Sequence, residues 1–168
     1  MDDKAYLKHF IGALHRDYEN TLKDLTPEQF AFLPAPAANH IGFVAWHWVR
    51  TEDNIVQFVL QRANTVWLEG GLDVAWGLPR NAQGTGMPVE DAHAMRLPAP
   101  SVFLDFARKV WAKTDDYLDR LDDTELARIT KVQPIGEIPV FQVLGQTLIA
   151  HGNQHLGEIW LNLEIQKK

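Results

Sequence analysis

Apolar residues recur at intervals of three and four positions near the start of the chain, where Phe10, Ile11, Leu14, Tyr18 and Leu22 follow one another. This spacing is typical of an amphipathic helix, because it places the apolar side chains on one face. The same pattern recurs in three later stretches. The sequence therefore predicts an all-α fold, a four-helix bundle, with long helices over residues 3–24, 39–62, 101–121 and 139–165.

Capping signals mark the expected helix boundaries. Thr26, Pro27 and Gln29 fit a capping box that opens a short helix. Asn39 is the expected N-cap of the second long helix, and Pro139 opens the fourth. The segment 129–138 contains a glycine and could form a small hairpin or an extended loop.

Charge and composition exclude several classes of protein. The net charge of −6 opposes nucleic-acid binding, since that affinity comes largely from Lys and Arg. The chain has no cysteine, which excludes disulfides, zinc–thiolate sites and cysteine nucleophiles. No run of about 18 apolar residues is free of charges, and the N-terminus does not read as a signal peptide. We expect a cytoplasmic protein that binds neither nucleic acid nor membranes.

Two histidines of the predicted fourth helix, His151 and His155, lie on its apolar face beside Leu148. Histidines four residues apart can reach one ion, because their Cβ atoms are about 6 Å apart. His47 faces inward on the second helix, and bundles build metal sites from inward side chains on facing helices. This arrangement indicates a divalent metal on three imidazoles.

A simpler interpretation is that these histidines are hydrogen-bonded core residues, since the His-x-x-x-His spacing also arises by chance. Burial favours the metal. Each inward polar group needs a partner, because an unsatisfied one costs about 1–3 kcal/mol, and a single cation satisfies several groups at once.

Two segments carry a resemblance to a known family: Leu25–Pro27 with Asn39–His47, and Leu148–Ile159. Their residues, and the order of elements along nearly the whole chain, resemble the DinB/YfiT-like superfamily. The resemblance implies an up-down-down-up four-helix bundle and frequent homodimers. It also implies a divalent metal, with zinc or nickel expected, on His47, His151 and His155.

Glu158 lies one turn beyond His155 and is the candidate catalytic residue. It could be a further ligand, a partner of a ligand, or a general base acting through metal-bound water. It could equally cap a buried donor, and many family members have Gln at this position. His40 is about 10 Å along the helix from His47, too far to share an ion, and is expected at an entrance or in a hydrogen bond. The remaining histidines, His9, His15 and His93, are expected at the surface or an interface.

Three functions are compatible with such a site. The first is an enzyme acting on a small-molecule substrate, either a hydrolase or a transferase or isomerase that uses a low-molecular-weight thiol cosubstrate, as the resemblance implies. The second is a non-catalytic module in which the metal stabilises the bundle or senses a ligand. The third, action on DNA, conflicts with the acidic charge. No basic cluster for a carboxylated thiol is apparent, although four arginines could contribute: Arg50, Arg62, Arg80 and Arg96.

Residues 1–168 are expected to form one domain, in which the connection 64–99 is too long for an ordinary bundle loop. Its apolar residues could line a substrate cleft over the metal, plug the open end of the bundle, or pack against a second subunit. They are Trp67, Trp76, Met87 and Leu97.

Tryptophans suggest a homodimer. Trp46 and Trp48 flank His47 and are not expected to face the core together with it, and Trp160 points away from the two histidines of its helix.

Overall fold

The computed structural model describes residues 2–167 and confirms the all-α architecture, with one small hairpin. Two helices continue into π-helical segments, named π1 and π2. In chain order the elements are α1 (Asp3–Leu22), α2 (Pro27–Ala31), α3 (Ile41–Asp53), π1 (Asn54–Leu60), α4 (Val66–Glu69), α5 (Leu72–Trp76), α6 (Val89–Ala94), α7 (Pro100–Arg120), α8 (Asp123–Ala127), β1 (Ile129–Val132), β2 (Gly136–Pro139), α9 (Val140–Val143), π2 (Leu144–Ala150) and α10 (His151–Gln166).

Four long helical stretches form the bundle. α1 packs on α7 and α10, and α3 packs on the same two helices, so the four surround a common interior. That interior contains two clusters of buried apolar side chains. One is built around Trp46, Trp48 and Phe103, and the other around Leu7 and Val143. The bundle core therefore consists of two groups of apolar contacts.

The helix starts follow the capping signals with two shifts of one residue, one of which is that Pro139 is the N-cap of a helix that begins at Val140. Thr26 accepts from Gln29 N and Gln29 reaches back to Thr26 N, which is the predicted capping box. The second long helix, however, has His40 and not Asn39 as its N-cap. The Nδ1 atom of His40 accepts the backbone N–H of Phe43 at 3.0 Å. An imidazole can accept the otherwise unpaired N–H of the first helical turn, as the side chain of Asn would. The helix therefore begins one residue later than expected.

The helices that carry the histidines both contain a π-helical stretch. π1 continues α3 directly, and π2 ends where α10 begins at His151. π-Helical turns are rare and are frequently found at functional sites. The fourth predicted helix is thus one continuous stretch from Val140 to Gln166, with a widened segment before the His-x-x-x-His motif.

The segment before the last helix is a hairpin and not an extended loop. β1 and β2 pair antiparallel, with Ile129 opposite Pro139 and Val132 opposite Gly136. Its turn, Gln133–Ile135, lies close to the histidine motif of the last helix and lines a cleft beside His151.

The long connection plugs the bundle. It contains α4, α5 and α6, and its apolar residues pack on the cluster around Trp46 and Trp48. Trp67 is fully buried. Trp67 therefore does not line a cleft. Trp76, Met87 and Leu97 are partly buried and pack on the same cluster, which agrees with the interpretation that this segment covers the bundle.

The second helix is buried on every side, which corrects the expectation for its tryptophans. Trp46 and Trp48 both have 0% exposure, although they flank His47. Helical periodicity predicts one buried face, but α3 is covered by α7, α10, α2 and the long connection together. Within residues 2–167, no helix combines the length and the apolar character needed to cross a membrane.

Candidate metal centre

Three histidines from two packed helices meet at one point. His47 lies in α3, while His151 and His155 occupy successive turns of α10, and α3 packs directly on α10. The i,i+4 spacing places both α10 imidazoles on the side that faces α3. One ligand atom from each histidine lies within 4.8 Å of the other two, so the cluster could hold a metal ion.

The separations of the ring nitrogens fit a shared ion. His47 Nε2 lies 3.1 Å from His151 Nε2, which lies 2.8 Å from His155 Nε2. Nitrogens bound to one ion at about 2.1 Å are roughly 3.0–3.4 Å apart for bond angles of about 90–110°. The observed separations are close to that range.

The second nitrogen of two of these rings is already occupied. Nδ1 of His47 donates to the backbone carbonyl of Gln83, and Nδ1 of His155 lies 3.1 Å from a carboxylate oxygen of Glu158. Metal-bound histidines commonly donate their other N–H to a carbonyl or carboxylate, which fixes the tautomer and the ring orientation. Both Nε2 atoms are therefore left as acceptors that point at His151.

The proton count also favours a cation. His47 and His155 present lone pairs at Nε2, so a hydrogen on His151 Nε2 could satisfy only one of them. The Nε2 lone pair that such a hydrogen leaves without a partner would be satisfied by a positive ion between the three rings.

The environment of His47 and His151 favours their neutral form. Burial, together with the nearby rings of His155 and His47, lowers the pKa of His151 to about 4. Burial also lowers the pKa of His47, although the Gln83 carbonyl opposes that change. Neutral imidazole is the form that binds metals, so both side chains are ready to act as ligands near neutral pH.

The loop that holds His47 depends on Gly84. This residue follows Gln83, has a φ of +93°, and a Cβ placed on it would lie 3.0 Å from Nδ1 of His47. A side chain here would meet the imidazole and would have to adopt a conformation that L-residues rarely use. The glycine thus allows the Gln83 carbonyl to approach the ring closely.

An open cleft of about 260 Å³ borders the histidine cluster and is lined by His151 itself. One wall comes from Thr51 and from Gln83 of the long connection, and another from the hairpin turn at Pro134. The connection therefore does contribute to a cleft beside the candidate metal centre. It does so through its polar segment around Gln83 and not through its tryptophans.

Glu158 contacts the cluster through His155. The hydrogen bond from His155 is the main cause that lowers the pKa of the Glu158 carboxyl, which keeps it ionised. Glu158 also lines a second cleft, of about 500 Å³, together with Val44 and Asn162. Among the described residues, Glu158 is therefore placed to orient His155, a candidate metal ligand, through a hydrogen bond.

The other histidines have distinct surroundings. His40 is buried and hydrogen-bonded, with Nε2 3.2 Å from the carbonyl oxygen of Ala92, as expected for a hydrogen-bonding residue. His93 donates to the Ala38 carbonyl at 2.8 Å, and His9 is exposed.

The expectation of a surface position for His15 is wrong. Its side chain is 6% exposed, and its Nε2 lies 3.0 Å from Glu52, a fully buried carboxylate. Thr114 also donates to Glu52, at 2.6 Å, and Trp111 stacks on the His15 ring. A single helix pattern does not reveal such a partner, because Glu52 comes from α3 and Thr114 from α7.

Comparison with known proteins agrees with this fold. No curated protein matches the sequence. A crystal structure described as that of the conserved protein of locus from Enterococcus faecalis is similar, with a TM-score of 0.84 and 19% sequence identity. The match covers 98% of this chain and 97% of that one, and at this identity it shows the fold alone. The family model described as DinB superfamily matches residues 12–159, and the chain belongs to that superfamily.

Proposed function

We propose that the protein is a metal-dependent enzyme acting on a small molecule, with a divalent ion held by His47, His151 and His155. The observation that carries this proposal is the convergence of the three Nε2 atoms beside an open cleft. Three neutral ligands would leave the ion its full charge and at least one open position, which is the pattern of catalytic and not of structural zinc sites.

The bound ion would supply Lewis acidity, which activates water or a thiol near neutral pH. The protein's part is to orient the ligands: Gln83 holds His47 and Glu158 holds His155. We infer that Glu158 is primarily a positioning residue for His155. Its ionised carboxylate would also suit a general base, which is one of the three roles that the sequence leaves open for it.

The chemistry of the ligands favours zinc or nickel, both of which bind imidazole well. The reaction class we propose is thiol-dependent transfer or isomerisation, with hydrolysis as the second possibility. The cleft beside His151 supports a small substrate, because its walls combine apolar side chains such as Ile55 with polar ones such as Gln146.

The alternative is a non-catalytic module in which the metal stabilises the fold or helps to bind a small ligand in a stress response. One observation favours the enzyme. The four long helices all contribute buried side chains to the apolar core, among them Leu14, Trp46, Phe103 and Leu156, which supports a fold that does not depend on an ion. A structural zinc would be expected where a core is too small to support the fold.

We further propose a cytoplasmic homodimer. Large apolar side chains on α10 remain exposed: Trp160 at 50%, Leu161 at 63% and Ile165 at 37%. Exposed apolar surface of this kind is typical of an interface. Light scattering that shows only a monomer at high micromolar concentration would contradict the dimer.

The function is tested by activity of zinc- and nickel-loaded protein against a panel of electrophiles and esters, with and without low-molecular-weight thiols. We expect turnover by wild type and none by His151→Ala, with His93→Ala as a control that retains activity. His93 is a suitable control because it lies outside the cluster and its imidazole donates to the backbone carbonyl of Ala38.

Chelation separates the enzyme from the structural alternative. Ligand linkage predicts that metal at about a thousandfold above its Kd raises the Tm by roughly 10 °C. For an enzyme, the chelated protein should keep its helix content and unfold cooperatively at that lower temperature. Loss of helix content at 25 °C on chelation would favour the structural module.

A further inference from the structure

A third cleft, of about 400 Å³, opens where α3 passes into π1 and faces the segment around Arg80. We call it the arginine cleft. Its lining includes two guanidinium groups and three carboxamides, and no carboxylate of the described residues lines it. The groups belong to Arg50, Arg80, Asn54, Asn64 and Asn81.

Arg50 is a buried cation with unused donor capacity. The residue is 2% exposed, its Nη1 donates to Asp53 at 3.2 Å, and its guanidinium lies 5.1 Å from the centre of the Trp67 ring. Its Nε has no hydrogen-bond partner among residues 2–167. Buried donors are nearly always paired in native proteins, so Arg50 brings unused hydrogen-bonding capacity to a residue that lines the cleft.

The carboxylate beside Arg50 is engaged elsewhere. Asp53 accepts the backbone N–H groups of Val66 and Trp67 at 2.9 and 3.0 Å, in addition to its contact with Arg50. Asp53 is fully buried and is not part of the cleft lining. It fixes the guanidinium and offsets part of its positive charge, while the unpaired Nε donor of Arg50 remains beside the cleft.

Arg80 provides the second cation. Its side chain is 68% exposed and its Nη1 donates to Asp73, a buried residue that is also outside the lining. Arg80 and Arg50 come from segments far apart in sequence, which is why no basic cluster is visible in the sequence. The fold brings together two of the four arginines that could contribute to binding a carboxylated molecule.

We propose that the arginine cleft binds the carboxylate of a small organic anion. A planar guanidinium matches a carboxylate through paired N–H donors, and the carboxamides of Asn54 and Asn81 offer additional N–H groups. The position of Asn54 at the first residue of π1 agrees with the frequent occurrence of π-helical turns at functional sites.

Two residues of the arginine cleft lie close in sequence to residues of the candidate metal centre. Arg50 is one turn beyond His47 on α3, and Arg80 is three residues before Gln83, which holds His47. The carboxylate could therefore belong to a substrate or cosubstrate of the metal centre, or to a separate effector. Both sources share the same recognition chemistry, and the site does not depend on the proposed reaction.

Succinate is the probe, with the neutral succinamide as its matched control, titrated calorimetrically into zinc-loaded and chelated protein. Arg80→Gln removes one cation and keeps a side-chain N–H donor. Because the Arg80 side chain is exposed, we expect this variant to fold normally. Arg96→Gln is the control variant, because Arg96 is an exposed arginine of the same connection that lies outside the cleft.

We expect saturable succinate binding to wild type and Arg96→Gln, weakened about tenfold or more in Arg80→Gln, with no binding of succinamide. Arg50→Lys should weaken binding too, since it keeps the charge but loses the planar fork. Equal succinate affinity in wild type and Arg80→Gln, or no saturable binding to wild type at millimolar concentrations, would overturn the proposal.

The zinc and chelated arms identify the source of the carboxylate. Affinity that is the same in both supports an independent effector site. Affinity that changes with zinc, and is still reduced by Arg80→Gln, supports a ligand shared with the metal centre. Succinate that binds only the zinc form and is unaffected by Arg80→Gln is a ligand of the ion itself and contradicts the arginine cleft.

Discussion

The Nε2 atoms of His151 and His155 lie 2.8 Å apart, although Nδ1 of His155 already has an acceptor in the Glu158 carboxylate. Their close approach follows from the i,i+4 spacing on α10 and from the position of His47 opposite them. Two imidazole nitrogens at this distance share either a proton or an ion. The acceptors around them leave few protons to share, which makes an ion the better explanation.

Removal of the central imidazole should abolish metal binding. We expect His151→Ala to contain far less zinc or nickel than wild type after loading, while His93→Ala keeps the wild-type content. The measurement is metal per protein by mass spectrometry after gel filtration. If the His151→Ala, His155→Ala double variant retains as much metal as wild type, these histidines are not the ligands.

The contact between Glu158 and His155 predicts a weaker effect. Glu158→Ala should lower metal affinity by about 10–100-fold, the loss typical of removing a partner of a metal-bound histidine. Glu158→Gln should lose less, since its amide oxygen can still accept from the imidazole. Glu164→Ala is the control, because Glu164 lies on the same helix and pairs with Lys167. Competition with a chromophoric chelator gives the affinities, and equal values for Glu158→Ala and Glu164→Ala would remove Glu158 from the site.

The four long helices and the inward position of the histidines could be predicted from sequence, because a period of three to four directly reports which side chains share a helix face. The same reasoning failed for Trp46 and Trp48. Periodicity assumes one buried face, whereas α3 is enclosed on all sides and buries both tryptophans.

The partners of the site residues could not be predicted in the same way. Gln83 acts through its backbone carbonyl, which carries no side-chain signal, and it reaches His47 from 36 residues away. His15 and Glu52 likewise meet across two helices. Gly84 can be read from the sequence, but its role cannot, because that role depends on the close approach of the loop to the His47 imidazole in the folded protein.

A glycine of α10 allows the helices that carry the site to pack closely. A Cβ on Gly152 would lie 2.4 Å from Leu14 and 2.5 Å from the indole nitrogen of Trp48, both buried. Gly152→Ala should therefore destabilise the protein by about 1–3 kcal/mol, the usual cost of overpacking a core.

Gly157 is the matched control on the same helix, since a Cβ there meets nothing within 4 Å. Gly157→Ala should stabilise the protein by about 0.5–1 kcal/mol, because alanine loses less conformational freedom than glycine in a helix. Urea unfolding of both variants gives the comparison. A Gly152→Ala protein as stable as Gly157→Ala would show that the helices do not pack as described.

The N-cap formed by His40 predicts a stability that depends on pH. Nδ1 of His40 accepts from Phe43 N, and Nε2 lies within hydrogen-bonding distance of the Ala92 carbonyl oxygen, so the folded protein requires the neutral ring. Burial is the main cause that lowers the pKa of His40, and the nearby His93 and Arg96 lower it further. The folded state therefore binds fewer protons than the unfolded state below an unfolded pKa of about 6.5.

The contribution of His40 should be complete above pH ~6.5 and should fall as the pH drops toward its folded pKa, by at most about 1.4 kcal/mol per pH unit. His40→Asn keeps a side chain that caps helices well but does not titrate. We expect urea unfolding of chelated protein to show a shallower decrease in stability below pH ~6.5 for His40→Asn than for wild type. The same change at exposed His9 should leave the wild-type slope. Parallel slopes for wild type and His40→Asn would show that the cap does not require a neutral imidazole.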